Sequence, residues 1–385
     1  MKKIILLLNL VYGLSLLAQK KDDKPTEAPK PATPALASIA DKTKKCKKIN
    51  GLFTLYRDTT NGSVMMLIKK EQLDKEYIYF SYVENGNNST GHNKGTYRDN
   101  KVFEIKKYYG QIEFQAKNVS HYFNPNNAIA KSANSNINNP VMSSEKIVAI
   151  DESKGEYLIE ADNLFLSEVL YQVKTPSFGM GFNLGALSKN KTRYHEINNY
   201  PENTDIVVKY VYDDPMSRGA GSAAITDSRY VEVLLQHSFI AMPDNNFQPR
   251  FDDPRIGYFT HQVNDMTSLQ SVNYRDVIHR WNLEKKDKNA AISEPVKPIT
   301  WWIENTTPVE LRPTIKAAIL QWNMAFEKAG FKNAIEIKEQ PDSATWHAGD
   351  IRYNVLRWTS SPEPPFGGYG PSFVNPRTGE ILGAD

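Results

Sequence analysis

Short apolar runs separated by turn residues dominate this chain, and they restrict it to a fold built mainly from β-hairpins. Residues 52–56 and 64–68 are two such runs, and the dipeptide Asn61-Gly62 lies between them. Asn-Gly between apolar runs is the strongest short-range signal for a hairpin. The pattern predicts a small antiparallel β domain over residues 43–94.

Longer strands are predicted in the next part of the chain. Residues 206–212 and 230–237 alternate in part between apolar and polar side chains, which is typical of a sheet with one buried face. The 20 tyrosines add aromatic side chains that favour strands. We expect one mostly β domain over residues 95–288, of a sandwich or curved-sheet type.

The N-terminus has the composition of a secretory signal peptide over residues 1–18. Lys2 and Lys3 supply the positive end, residues 4–17 supply an apolar core, and Ala18 is a small residue at the cleavage point. The apolar core is too short for a comfortable membrane span, and an uncleaved anchor is the alternative. These features predict a protein exported to the periplasm or the cell exterior, without a stable membrane span.

Two segments have the composition of linkers. Residues 19–42 are rich in lysine, proline, alanine and threonine, so they cannot form a core and are predicted to be disordered. Residues 289–298 are polar and contain two prolines. The net charge of +3 is too small to indicate nucleic-acid binding. Cys46 is the only cysteine, which excludes an intramolecular disulfide.

The composition changes after the second linker. An apolar stretch at residues 299–303 is followed by Thr307, which can cap a helix, and then by apolar residues at helical spacing as far as Ala329. Pro313 lacks a backbone donor, so the helix is expected to kink there or to begin near it, and Gly330 ends it. We expect the apolar stripe of this helix to pack against a sheet.

Extended segments are predicted after the helix. They lie at residues 334–338, at residues 350–358, and at residues 371–374 and 380–382 on either side of a turn. The resulting order is strand, helix, strand, strand, strand.

This order resembles the N-terminal subdomain of the metzincin-type zinc peptidases, matrixins included. The chain more closely resembles a family of secreted bacterial zinc-dependent metalloproteases in which two domains of unassigned function precede the catalytic domain. The matching stretches are residues 252–259, 299–305, 322–331, 350–358 and 370–381. The resemblance implies mostly β domains followed by an incomplete α/β subdomain of the zincin type, with residues 299–385 as the N-terminal half of a metzincin-like catalytic domain.

Enzymes of this kind bind zinc through the pattern H-E-x-x-H-x-x-G-x-x-H, so the resemblance implies zinc in a complete parent protein. This sequence holds no such pattern, and its nearest string starts at His195 and Glu196 with Asn199 at the second ligand position. We therefore expect the chain to stop before the zinc-binding helix. On its own it is expected to contain no catalytic residue, no metal ligand and no peptidase activity.

The strand before the zinc-binding helix is the one functional element that the resemblance places in this chain. In metzincin-like folds the fourth strand is an edge strand, and an extended substrate pairs with it through backbone groups. The resemblance implies this role for Gly370, Ser372, Phe373 and Val374, or for residues 380–384 across the turn. The implied partner is a peptide or protein substrate. An ordinary hairpin beneath a loop is the alternative.

Two functions are consistent with these observations. The first is the N-terminal portion of an exported zinc-dependent metalloendopeptidase. The alternative is a non-catalytic exported β-rich protein that binds a cell-surface polymer or a protein partner. His237 and His279 lie in apolar surroundings, and we expect them to be packed rather than to bind a metal.

Overall fold

A computed structural model describes residues 36–174, 182–217, 221–362 and 364–385. The predicted signal peptide and residues 19–35 of the first linker lie outside the described residues. The described chain is mostly β, as its turn pattern predicted. Its strands are β1 (Cys46–Ile49), β2 (Thr54–Asp58), β3 (Val64–Lys69), β4 (Glu76–Asn85), β5 (Tyr97–Tyr108), β6 (Gln111–Lys117), β7 (His121–Tyr122), β8 (Val141–Asp151), β9 (Glu156–Glu160), β10 (Ala186–Leu187), β11 (Arg193–Asn199), β12 (Asn203–Asp213), β13 (Tyr230–Ala241), β14 (Thr260–Asp265), β15 (Tyr274–Ile278), β16 (Arg280–Trp281), β17 (Ile299–Ile303), β18 (Ile335–Glu339), β19 (Asn354–Leu356), β20 (Ser372–Val374) and β21 (Glu380–Ala384).

The helices are few and short. The α-helices are α1 (Ile39–Thr43), α2 (Asp162–Phe165), α3 (Arg312–Leu320) and α4 (Trp322–Lys328). Single turns of 3-10 helix lie at Lys70–Gln72, Asn88–Thr90, Ala128–Ser132 and Val309–Leu311. Helix α1 lies at the end of the segment predicted to be a disordered linker, and Ser38 caps it by accepting a hydrogen bond from the Asp41 N–H at 3.1 Å.

A 12-stranded antiparallel sheet forms the body of the described chain. Its strand order is β1-β2-β3-β9-β8-β6-β5-β4-β13-β12-β10, and β11 also pairs with β12. Strand β4 pairs with β5 on one side and with β13 on the other. The two predicted β domains, residues 43–94 and 95–288, therefore contribute neighbouring strands to the same sheet.

The sheet curls until its two ends meet. Asn199 on β11 donates from Nδ2 to the Ile49 carbonyl (3.1 Å) and to the Phe53 carbonyl (2.6 Å), which belong to the opposite end of the sheet. Gly51 lies so close to this amide that a Cβ atom on it would be 2.0 Å from Asn199 Oδ1. Glycine is required at this point because any side chain would separate the two ends.

The inner face of the curled sheet holds the main hydrophobic core. Its fully buried members come from strands along the whole sheet and include Leu55, Met66, Phe103, Phe114 and Phe239. His237 is fully buried among them, which confirms its predicted packing. The hydroxyls of Tyr79 and Tyr210 lie 2.9 and 2.8 Å from its two ring nitrogens. Burial, with a smaller contribution from Lys101, lowers the pKa of His237 to about 3, so the ring is neutral.

Part of the outer face is covered by the C-terminal segment of the chain. At one end the contact is apolar, and it joins Ile78, Phe80 and Ile240 of the sheet to Ile351 and Phe373. At the other end the buried side chains of the sheet are polar. They are Tyr82, Asn203, Asp205, Gln236 and Ser238.

A small parallel sheet follows the second linker. Strand β17 lies at its centre, with β18 on one side and β19 on the other. Helices α3 and α4 connect β17 to β18, which is the βαβ arrangement. Asn323 on α4 donates from Nδ2 to the Ile335 carbonyl (3.0 Å) and accepts from the Ile335 N–H (2.8 Å), which fastens the helix to the start of β18.

The predicted helix is divided in two. Helix α3 begins at Arg312 with Pro313 in its first turn, which is one of the two predicted alternatives, and Gln321 separates it from α4. Its apolar stripe was predicted to be core, and this is wrong in the described chain. No residue of either helix is buried, and Trp322 is 61% exposed.

The predicted strand at residues 350–358 is shorter than expected and is confined to β19. Asp350 and Arg352 form an ion pair across a turn, at 2.6 Å between Oδ2 and Nη2. The Tyr353 N–H donates to the Asp350 carbonyl at 2.9 Å. Because a turn closed by these contacts cannot be extended, the strand begins only after it.

Candidate functional site

Strand β20, for which substrate binding was predicted, lies at the edge of a three-stranded sheet. The strand order is β16-β21-β20. The Pro371 carbonyl and the Asn375 N–H both hydrogen-bond to backbone groups at the ends of β21, at 3.3 and 2.9 Å. Because backbone groups alternate in direction along a strand, those of Ser372 and Val374 are directed to the free edge. Gly370 lies just before the strand, next to Pro371, whose carbonyl is paired with β21.

Phe373 anchors this edge strand to the large sheet. Its side chain is 5% exposed. Its ring centroid lies 5.1 Å from that of Phe80 and 4.8 Å from that of Tyr97. These rings come from β4 and β5, so the large sheet itself holds the predicted substrate strand in place. Phe373 is therefore a packing residue and presents no surface to a substrate.

Val374 is also engaged with the large sheet. The Val374 carbonyl accepts a hydrogen bond from Nδ2 of Asn100 on β5, at 3.2 Å. None of the described residues hydrogen-bonds to the backbone of Gly370 or to the outward groups of Ser372. Of the four predicted site residues, Phe373 and Val374 are thus held by the protein, and Gly370 and Ser372 form the open part of the edge.

Exposed aromatic residues flank this open part. Phe366 is 37% exposed and Tyr369 is 49% exposed, and their ring centroids lie 5.5 Å apart. Tyr369 also lies 6.4 Å from Tyr97, in an edge-to-face arrangement. Gly370 and the glycines at 367 and 368 have open space where a Cβ atom would be. Another backbone can therefore approach this stretch closely.

A cluster of charged residues joins the large sheet to the C-terminal segment. Arg357, which follows β19, donates from Nη1 to the Tyr82 hydroxyl (3.1 Å) and from Nη2 to Glu84 Oε1 (3.2 Å). The carboxylates of Glu304 and Asp385 each lie 3.9 Å from its guanidinium group. Burial raises the pKa of Asp385 to about 7, and Arg357 opposes this rise.

A second polar contact fixes the turn before β19. Asn203 on β12 donates from Nδ2 to the Gly349 carbonyl (2.9 Å) and accepts at Oδ1 from the Ile351 N–H (3.2 Å). Asp205 is fully buried next to this turn, and a Cβ atom on Gly349 would lie 2.6 Å from its Oδ2. Burial is the main reason that the pKa of Asp205 is raised to about 8, and the Asp350 carboxylate adds to the effect.

Two cavities lie beside these contacts. The larger has a volume of about 830 Å³, and its lining includes Met242, Trp281, Trp302, Tyr353 and Glu380. The smaller has a volume of about 500 Å³ and a strongly charged lining, which includes Glu84, Glu196, Glu304, Asp342 and Arg357. Neither lining contains Gly370 or Ser372, so both cavities are separate from the open part of the edge strand.

The described residues do not fit a zinc site. Among them, no group of three or more His, Cys, Asp or Glu side chains is placed to hold a metal ion. His195 lies exposed on a strand, β11, and Asn199 of the same string joins the ends of the sheet. His279 is half-buried beside His261, and the two rings hydrogen-bond to each other at 3.1 Å. Burial lowers the pKa of both rings.

Comparisons with known proteins give one match. The family described as Domain of unknown function (DUF5117) matches residues 95–286, which is nearly the range predicted for the second β domain. No curated protein and no solved structure matches the chain. In the part of the chain that the structure describes, no helix is both long enough and apolar enough to cross a membrane. The matched family carries no assigned activity, so function has to be argued from the site.

The contacts that position the edge strand were not predicted from the sequence. Asn100 and Val374 are 274 residues apart in the chain, and Arg357 and Glu84 are 273 apart. No local pattern marks such pairs. The one available signal was Asn203 and Asp205, which are polar residues at the start of an otherwise apolar strand and which now lie buried against the turn at Gly349.

Proposed function

We propose that this chain is the N-terminal portion of an exported zinc-dependent metalloendopeptidase, and that it binds the peptide substrate in an extended form along β20. Zinc, when bound in the complete protein, would supply an activated water that hydrolyses the peptide bond. The described residues do not form a zinc site, so the proposal assigns the zinc ligands to residues outside them.

One structural observation carries the proposal. Counted from Ile299, the fourth strand of the C-terminal segment is β20, and it is an edge strand. The first three strands form the parallel sheet with its connecting helices. The Ala384 N–H donates to Asn354 Oδ1 at 3.2 Å, so the end of β21 lies beside the start of β19, although the two strands belong to separate sheets. An edge at the fourth strand is the arrangement that the resemblance to metzincin-like folds implies.

The chemistry of a free edge supports a peptide as the ligand. Unpaired N–H and C=O groups along a strand favour pairing with another extended backbone. Such strand addition gives affinity through main-chain hydrogen bonds, while side-chain pockets give selectivity. Ser372 presents these groups at the edge, and open space lies beside Gly370 just before it.

The coding sequence beyond the Asp385 codon tests the proposal. We expect the reading frame to continue and to give His-Glu-x-x-His within a few tens of codons. The product of the whole frame should then bind zinc and hydrolyse peptides, and replacement of the glutamate in that motif should abolish hydrolysis but not zinc binding. A stop codon directly after Asp385 in an intact gene would sink the proposal.

A second candidate is a non-catalytic exported protein that binds a cell-surface polymer or a protein partner. The observation that favours it is a group of exposed apolar residues around β14 and β15, which includes Phe251, Ile256, Phe259, Leu269 and Val272. Phe259 is 87% exposed. Binding to cell-envelope material that is lost in Phe259→Ser, together with a stop codon after Asp385, would support this function over the first.

A further inference from the structure

Some backbone groups on the free edge of β20 are available to pair with another strand, and others already have a partner. Ser372 and Val374 direct their backbone groups outward and Gly370 lies open just before them, but the Val374 carbonyl already accepts from Asn100 Nδ2 at 3.2 Å. The side-chain amide of Asn100 therefore occupies the position from which an N–H group of an added strand would donate to the Val374 carbonyl. A peptide that pairs with Gly370 and Ser372 cannot continue its ladder at Val374.

The direction of neighbouring side chains places a peptide side chain beside the aromatic residues. Successive side chains of a strand point to opposite faces, and residues directly opposite each other share a face. The side chain of Phe373 points to the large sheet. In a peptide paired with β20, one residue lies opposite Ser372, and the side chains of its two neighbours therefore also point to the large sheet. Of these two peptide residues, the one nearer Gly370 directs its side chain towards Tyr369 and Tyr97, whose ring centroids lie 6.4 Å apart.

We propose that Asn100 sets the register of the bound peptide, and that Phe366 and Tyr369 select a large apolar side chain next to the residue opposite Ser372. This inference rests on the proposed function, because it takes the ligand of β20 to be an extended peptide. It adds where the peptide ladder ends and which side-chain class is preferred. Asn100 and the aromatic pair act on binding and touch no reacting atom.

Two blocked synthetic peptides can serve as probes. One has the sequence Ala-Thr-Ala-Phe-Ala-Thr-Ala, and the other has serine in place of phenylalanine. We expect the phenylalanine peptide to bind the 385-residue chain about three- to tenfold more tightly, as an aromatic contact allows. Bound peptide should slow amide hydrogen exchange at Gly370 and Ser372 and leave exchange at Val374 unchanged. Fluorescence anisotropy and exchange mass spectrometry measure the two effects.

Three variants separate the roles of the residues. Tyr369→Ala should remove the preference for phenylalanine, and Phe366→Ser should reduce it. Tyr108→Ala is the matched control, because Tyr108 is an exposed aromatic (57%) at the tip of the β5–β6 hairpin and should leave the preference intact. Asn100→Ala should extend the slowed exchange to Val374.

The outcomes also distinguish this inference from the proposed function. Equal affinity for both peptides, slowed exchange at Val374 in the unaltered chain, or no slowed exchange along β20 would each overturn the inference. If one of those results is obtained and the product of the whole reading frame hydrolyses peptides, the inference is wrong and the proposed function is still supported. Selective protection of Gly370 and Ser372 in a protein that never hydrolyses peptides would support the inference as a binding site and reject the proposed activity.

Discussion

Arg357 and Glu84 form an ion pair at 3.2 Å between positions 273 residues apart in the chain. Glu84 lies near the end of β4 in the large sheet, and Arg357 directly follows β19 in the parallel sheet. The Tyr82 hydroxyl, which accepts from Arg357 Nη1 at 3.1 Å, strengthens the contact. The large sheet is therefore a support for the C-terminal segment, and its role includes holding the edge strand that we propose to bind substrate.

Replacement of Arg357 by methionine should destabilise the protein. The guanidinium side chain is 18% exposed and that of Glu84 is 23% exposed, so removal of the cation would leave a carboxylate largely buried without its partner. We expect the free energy of unfolding to fall by about 2–3 kcal/mol, which is less than for a fully buried pair because water reaches this one in part. Urea denaturation measures the change.

The control for this prediction is Arg255→Met. Arg255 forms an ion pair with Asp253 at 2.6 Å, but its side chain is 85% exposed. Pairs of that kind contribute little to stability, so no measurable change is expected. Equal effects of the two substitutions would show that the Arg357 contact does not hold the segment.

Gly51→Ala should disrupt the meeting of the sheet ends. The added Cβ atom would lie 2.0 Å from Asn199 Oδ1, so the amide that joins the two ends must move. We expect a loss of about 2 kcal/mol or more, as for an overpacked core, measured as a lower thermal midpoint. Gly110→Ala is the matched control because its Cβ would meet nothing within 4 Å. Similar midpoints for the two variants would contradict this account.

The sequence predicted the local parts of the fold and missed the distant ones for a physical reason. The hairpin of β2 and β3 depends on Asn61 and Gly62, which lie in the chain between its two strands. The meeting of the sheet ends depends on Asn199 and Ile49, 150 residues apart, and no periodicity encodes such a pair. A turn is specified by the torsion preferences of a few adjacent residues, whereas closure is specified by the shape of the whole sheet.

The candidate site shows the same division. The strand around Ser372 and the turn after it followed from apolar residues and turn residues, but the edge role came from the resemblance alone. The hydrogen bond from Asn100 to Val374 could not be predicted from the sequence, because it depends on how β5 passes beneath the hairpin of β20 and β21. The apolar stripe of α3 and α4 was predicted to be core from its periodicity alone. Periodicity shows which face of a helix is apolar but does not show whether another element covers that face.

His237 should make stability depend on pH in the acid range. Burial lowers its pKa in the folded protein to about 3, from an ordinary value of 6.5. Because the folded pKa is the lower one, the stability is fully present above pH 6.5 and is lost as the pH falls towards 3. From pH 6.5 to 4.5 the contribution of His237 to stability should fall by about 2–3 kcal/mol. His237→Gln should remove that part of the pH dependence.

Urea denaturation across this pH range provides the measurement, and His195→Gln provides the control. His195 is exposed on β11, so its replacement should leave the pH dependence as it is in the unaltered protein. The prediction concerns the slope with pH and not the absolute stability, which His237→Gln also changes through the hydrogen bonds to Tyr79 and Tyr210. An unchanged slope in His237→Gln would contradict a neutral buried ring.

Asp205 should act in the opposite direction. Its pKa in the folded protein is raised to about 8, from an ordinary value of 3.8, chiefly by burial. Because the folded pKa is the higher one, the folded protein keeps a proton that the unfolded chain releases. The resulting stability is fully present below pH 3.8 and is lost as the pH rises through 8. Asparagine has a similar shape and cannot ionise, so Asp205→Asn removes this dependence.

The measurable quantity is the difference in free energy of unfolding between Asp205→Asn and the unaltered protein. It should shift in favour of the variant by about 2–3 kcal/mol between pH 5 and 7. Asp253→Asn, at an exposed carboxylate, should show no shift over the same interval.

Between pH 5 and 6.5 the contributions of His237 and Asp205 oppose each other, so the unaltered protein should show a nearly flat profile there. Each single variant should give that profile a slope, upward with pH for Asp205→Asn and downward for His237→Gln. Parallel curves for Asp205→Asn and the unaltered protein would mean that this carboxyl group is ionised in the folded state.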